Sequence, residues 1–125
     1  MGYIMILEDQ SLIAELMRLE IAKYDDRSVE MFKSASAAKA RAQLELPDLA
    51  FLDVNLGDHT SFSFAEWLLL QGVEFAFLTS YSKQSLDMLG IPPELDDVQI
   101  IGKVKFSQEV KAILGAGPID FNAQT

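Results

Sequence analysis

The chain has 125 residues, half of them apolar, enough for one domain with its own core. Nineteen acidic residues against ten basic ones leave a net charge of -9, which argues against a nonspecific nucleic-acid binder and against docking on an anionic membrane. The absence of cysteine excludes disulfides and zinc-thiolate sites; no apolar run reaches the roughly 18 residues that span a bilayer and no signal peptide is visible, so a cytoplasmic protein is expected.

The first predicted strand is Tyr3 to Leu7, apolar throughout, as in a strand covered on both faces. It runs into Glu8 and Asp9. A helix is predicted from Ser11 to Tyr24, with Leu12, Ile13, Leu16, Met17 and Leu19 at helical spacing and Asp9 or Ser11 as cap. Asp25 to Arg27 makes a turn. Ser28 to Phe32 alternates polar and apolar residues and reads as an edge strand. An alanine-rich helix follows, Ser34 to Leu46, ended by Pro47. Leu49 to Leu52 is a fully apolar, central strand that runs into Asp53.

A polar loop, Asn55 to Ser61, carries Gly57 at a turn. Phe64 to Leu70 is the third predicted helix, anchored by Phe62, Phe64 and Trp67 and stopped at Gly72. Val73 to Leu78 is the fourth strand and runs into Thr79. The fourth helix, about Lys83 to Leu89, is short or frayed, because Gly90, Pro92 and Pro93 limit it. Val98 to Ile101 is the fifth strand; Gly102 and Lys103 follow. The last helix is Ser107 to Leu114, with Ser107 as its cap. Residues 1–115 form one domain on this reading and 116–125 a flexible tail.

Five strands alternating with five helices define a doubly wound α/β fold, a flavodoxin-like parallel sheet of order 2-1-3-4-5. Ligands of such sheets bind at the carboxyl ends of the strands, at the point where strand order reverses. Glu8, Asp9, Asp53, Thr79 and Lys103 all follow strand ends. Taken singly, each has a plainer reading: a turn acid, a helix cap, a structural threonine, a solvated lysine. Taken jointly, they bring three acids, a hydroxyl and an amine to one place. Close carboxylates repel unless a cation lies among them. Magnesium takes oxygen ligands and phosphate together, an aspartate can act as nucleophile toward a phosphoryl group, and a lysine can hold its oxygens.

In order and spacing, Ile4-Met5-Ile6-Leu7-Glu8-Asp9, Leu52-Asp53-Val54-Asn55-Leu56, Phe77-Leu78-Thr79-Ser80-Tyr81 and Gly102-Lys103 closely resemble the receiver domain of two-component response regulators, over about Tyr3 to Leu114. The resemblance implies Asp53 as phosphoacceptor, Asp9 as direct magnesium ligand, Glu8 acting through water and Asn55 through its backbone carbonyl. It implies Thr79 as switch hydroxyl and Lys103 as phosphate-binding amine. It implies a histidine kinase or histidine phosphotransfer protein as donor, an unidentified downstream protein, and a response at the face of the fourth helix, fifth strand and fifth helix. The Phe-Leu-Thr-Ser-Tyr run also resembles a subgroup of stand-alone receivers common in alphaproteobacteria.

The chain departs from the family in places. Val104 stands where the family usually has proline after the lysine, so a trans bond and a shifted loop are expected, with Lys105 a second candidate phosphate contact. Ile100 stands where the family has its switch aromatic; Tyr81 is a candidate replacement and part of a partner-binding face. His59, the one histidine, is expected to be a solvated loop residue. Two alternatives remain: a pseudo-receiver that binds partners without phosphorylation, and an aspartyl-nucleophile phosphohydrolase. The second lacks an acid two residues after Asp53, where Asn55 stands, so a non-enzyme is expected.

Overall fold

The computed structural model describes residues 2–80, 90–95 and 97–115. Five parallel strands, β1 (Tyr3–Leu7), β2 (Ser28–Phe32), β3 (Leu49–Asp53), β4 (Glu74–Thr79) and β5 (Ile100–Gly102), form one sheet of order β2-β1-β3-β4-β5. This is the expected doubly wound fold. Among the described residues, its helices are α1 (Ser11–Ala22), α2 (Ala35–Leu44), α3 (Phe62–Leu70) and α4 (Phe106–Leu114). The expected short helix at 83–89 and the expected tail at 116–125 lie outside the described residues, as does Tyr81.

The period-two alternation of the strands divides the interior into two cores. Tyr3, Met5 and Leu7 of β1 point to one face, with Ala50, Leu52 and Phe77, and meet Ala38 and Ala42 of α2 and Phe64, Ala65 and Leu68 of α3. Ile4 and Ile6 point to the other face, with Phe51 and Leu78, and meet Ala14, Met17 and Ile21 of α1 and Phe106 and Val110 of α4. The Phe51 and Phe106 rings meet edge to face at 5.3 Å. Each buried Leu, Ile, Met or Phe side chain among these contributes about 1.5–3 kcal/mol. β1 and β3 are buried at every position, as their apolar sequences require, and β2 is partly exposed at the edge.

Local chemistry sets the element ends, and several differ from the sequence reading. α1 stops at Ala22 rather than Tyr24, and its cap is Gln10, with no side-chain capping bond. Its buried residues are Ala14, Met17 and Ile21; Leu12, Leu16 and Leu19 face outward, so the apolar spacing covers two faces of which only one is core. Ser34 is extended, and its hydroxyl accepts from Ala37 N at 3.2 Å, capping α2. α3 already begins at Phe62. It ends in a Schellman motif: Gly72 N donates to Leu69 O and Val73 N to Leu68 O, with Gly72 at φ +77°. β5 starts later than expected, at Ile100: Ile100 to Gly102 pair in register with β4, and Gln99 O accepts from Phe77 N just ahead of them. Residues 103–105 form a 3-10 turn, and α4 starts at Phe106, which puts Ser107 inside the helix rather than at its cap.

Two serines at helix starts should respond oppositely to truncation. Ser34→Ala should lower stability by about 1 kcal/mol in urea unfolding. Ser61, which precedes α3, is buried and its hydroxyl has no hydrogen-bond partner among the described residues. Ser61→Ala should leave stability unchanged or raise it. A loss at Ser61 as large as that at Ser34 would contradict this assignment.

Candidate functional site

The order reversal between β1 and β3 opens the carboxyl end of the sheet where Glu8, Asp9 and Asp53 lie. One carboxylate oxygen from each of these residues falls within 4.8 Å of the other two. Glu8 and Asp53 are buried and Asp9 is exposed. Backbone amides orient the buried pair: Gln10 N donates to Glu8 Oε2 at 3.1 Å and Asn55 N to Asp53 Oδ1 at 3.3 Å. Lys103, at the end of β5, reaches across two strands. Its Nζ lies 2.7 Å from Glu8 Oε1 and donates to Asp53 Oδ2 at 3.0 Å.

A cavity of about 200 Å³ opens over these groups, lined by Asp9, Asp53, Asn55, Gly57, Ser80 and Lys103, with Gln10 at its margin. Cavities of about 330 Å³ lie elsewhere, but apolar side chains dominate their walls and they hold no such cluster. Gly57 has φ +93°, and a β-carbon built there would lie 4.0 Å from Asp9 Oδ2, so the loop passes close to the acid in a conformation that favours glycine. Thr79 is buried at the end of β4, paired in register with Gly102, one residue before the lysine.

Of the residues expected at the site, Glu8, Asp9, Asp53, Asn55 and Lys103 are brought together, and Thr79 ends the neighbouring strand. Lys105 is exposed and does not line the cavity. Ile100 is about 39% exposed on the edge strand. There is no cis peptide bond among the described residues, so the Lys103–Val104 bond is trans, and residues 103–105 form a 3-10 turn. Gln10, Gly57 and Ser80 were not singled out from sequence as site residues. Their contributions are a backbone amide, a backbone approach and a lining position, which leave little mark on residue pattern.

Burial pushes the Glu8 and Asp53 carboxyls above their ordinary values, and contact with Lys103 only partly offsets this. Burial alone would lower Lys103, but its bonds to Glu8 and Asp53 outweigh it and hold the amine above the usual lysine value. Three carboxylates against one ammonium leave two negative charges uncompensated. Among the described residues Glu8 Oε1 is buried without a hydrogen bond, its contact with Lys103 being an ion pair. A divalent cation fits this arrangement, and an all-oxygen donor set suits a hard ion of the magnesium or manganese kind.

No family model and no curated protein matches the sequence. Solved structures do. The N-terminal domain of a response regulator/sensory box/GGDEF three-domain protein from Carboxydothermus hydrogenoformans superposes with a TM-score of 0.75 at 20% identity, over 98% of each chain. The BeF3-activated conformation of SdrG from Pseudomonas melonis Fr1 gives 0.70 at 28% identity, over 90% of this chain and 95% of that one. The Mn(2+)-bound form of response regulator Rcp1 gives 0.70 at 22% identity, over 90% and 91%. The Carboxydothermus protein and Rcp1 are response regulators, and the fold this chain shares with them is that of the receiver domain.

The raised carboxyls fix the sign of a pH dependence. A carboxyl raised in the folded state supports folding while protonated; that support is present below the ordinary carboxylate range and is lost as pH rises through the raised values. Lys103 stays charged throughout this interval. Magnesium should therefore raise Tm more at pH 8 than at pH 5. Equal shifts at the two pH values would contradict the assignment of the acids.

Proposed function

We propose that the chain is a phosphorylatable switch of a two-component phosphorelay, with residues 1–115 as its receiver unit and Asp53 as phosphoacceptor. The observation that carries this reading is the contact of one ammonium, Lys103, with both Asp53 and Glu8 beside an acidic cavity at the switch point. Two structural neighbours, one in a manganese-bound form and one in a BeF3-activated form, are in keeping with it.

On this reading Asp9 would ligate magnesium directly, Glu8 would act through water and Asn55 through its backbone carbonyl. The cation supplies compensation for phosphoryl charge. The chain's own groups do the rest. Asp53 Oδ1 is held by Asn55 N, which orients the carboxylate, and its oxygen forms the new O–P bond as the donor's P–N bond breaks. Lys103 Nζ, already 3.0 Å from Asp53 Oδ2, contacts the transferred oxygens. Thr79, at the end of β4, engages the product and biases a pre-existing equilibrium toward the partner-binding state. The donor is a histidine kinase or a histidine phosphotransfer protein. An aspartyl phosphatase is disfavoured because Asn55 cannot protonate a leaving group.

The donor must present its histidine at the mouth of this cavity. α1 offers it a helical stripe of Leu12, Leu16 and Leu19, and Val104, 96% exposed, stands next to Lys103. Leu16, Lys103 and Val104 line one groove, and Lys103 also lines the acidic cavity, so the apolar face runs into the site. Apolar area of this kind marks an interaction surface.

Intact mass after incubation with a small phosphodonor tests the acceptor. The wild type should gain one phosphate only with magnesium, Asp53→Asn none, and Asp9→Ala none at magnesium concentrations that saturate the wild type. Thr79→Ala should label while its spectroscopic response is blunted. Labelling of Asp53→Asn at another acid would overturn the assignment, and no label from either a small donor or a histidine kinase would favour the pseudo-receiver. Separately, Leu16→Asp or Val104→Asp should slow transfer from a phosphohistidine protein roughly tenfold or more, and far more than it slows labelling by the small donor.

A further inference from the structure

His59 is exposed in the loop between β3 and α3, as expected, and does not line the acidic cavity, but its ring also makes two contacts. Its Nδ1 is 2.6 Å from Asp58 Oδ1, and its Nε2 accepts from Ala35 N at 3.4 Å. Ala35 is the first residue of α2, and the first N–H groups of a helix have no partner within it. Ser34 satisfies Ala37 N, and the imidazole satisfies Ala35 N.

These two contacts require one protonation state. Nε2 accepts only with its lone pair, so the ring proton sits on Nδ1 and is donated to Asp58. An imidazolium carries hydrogens on both nitrogens. Its Nε2–H would face Ala35 N–H and the positive end of α2, whose first turn holds no acidic residue. Asp58, the charged group in contact with the ring among the described residues, is 91% exposed and free to follow the ring away from α2. The same loop carries Asn55 and Gly57 to the acidic cavity. It is closed by an antiparallel bridge between Asn55 and Thr60 and by Leu56 N donating to His59 O at 2.9 Å. The backbone of His59 thus closes the loop that its ring attaches to α2.

We propose that His59 is a positioning residue: neutral, it ties the Asn55–Thr60 loop to the start of α2, and protonated, it releases that loop, so that metal affinity at the acidic cavity follows the charge of the imidazole. The second half of this statement rests on the metal site proposed above; the first does not.

Amide NMR of the full chain from pH 5.5 to 8, with magnesium titrations at each pH, tests both halves on the wild type, His59→Gln and His59→Phe. Glutamine can accept from Ala35 N and donate to Asp58 without titrating. The Ala35 amide should move with the His59 ring titration in the wild type and stay still in both variants. Magnesium affinity should fall about two- to fivefold more in the wild type than in His59→Gln as the ring charges. At pH 8 His59→Phe should bind magnesium about two- to fivefold more weakly than the wild type, and His59→Gln like the wild type. An Ala35 amide indifferent to the ring overturns the tie. Equal pH dependence of affinity in the wild type and His59→Gln overturns the coupling. If no variant binds magnesium, the site reading falls, and the Ala35 amide still decides the tie.

Discussion

Charge imbalance at the carboxyl end of the sheet is the constraint around which the rest of the structure is arranged. Three carboxylates share a small space with one ammonium, and two of the three are buried. Such a cluster cannot hold itself together, since each added charge raises the cost of ionising the next. What holds it is the sheet. β1 and β3 are buried at every position, with aromatic and aliphatic side chains packed on both faces, and their register leaves little freedom at the strand ends. The hydrophobic cores stabilise a site that is electrostatically unfavourable on its own.

Most of this was legible in residue pattern because the strands are short, apolar and terminated by charge. β1 and β3 could be placed, and Glu8, Asp9 and Asp53 with them, since a run without polar residues has to be covered on both sides. The reversal of order that brings them together follows from the edge character of β2. Where the reading slipped, a local hydrogen bond or a tertiary contact had decided the matter. β5 is only as long as its pairing with β4 allows, and the cap of α1 passed to Gln10, whose side chain makes no capping bond. Leu12, Leu16 and Leu19 have the spacing of a core stripe and lie on the wrong face, because Ala14, Met17 and Ile21 fill the contact with the sheet and α4. Periodicity reports that a helix is amphipathic; it does not distinguish a side that meets its own sheet from one that meets another molecule. His59 illustrates a further limit, since its partner at Ala35 is 24 positions away and nothing in the spacing announces the contact.

The departures after β5 have a local physical account. With Val104 in a trans linkage, the chain winds through a 3-10 turn directly into α4, and the valine side chain is left in solvent. Lys103 nonetheless reaches both acids, since its long stem spans the distance from an edge strand to the centre of the sheet. The reach of one flexible side chain, rather than the conformation of the loop behind it, delivers the amine.

That shared amine also sets an order of events on the proposed reading. Without a cation, Lys103 divides its charge between Glu8 and Asp53 and compensates each only in part. A cation that takes up the charge of Glu8 removes the reason for that division, and the ammonium is left to the acceptor side. A metal held there would supply more than a counter-charge for the incoming group, since it would leave the lysine to the acceptor side. On that reading metal would be loaded before phosphoryl.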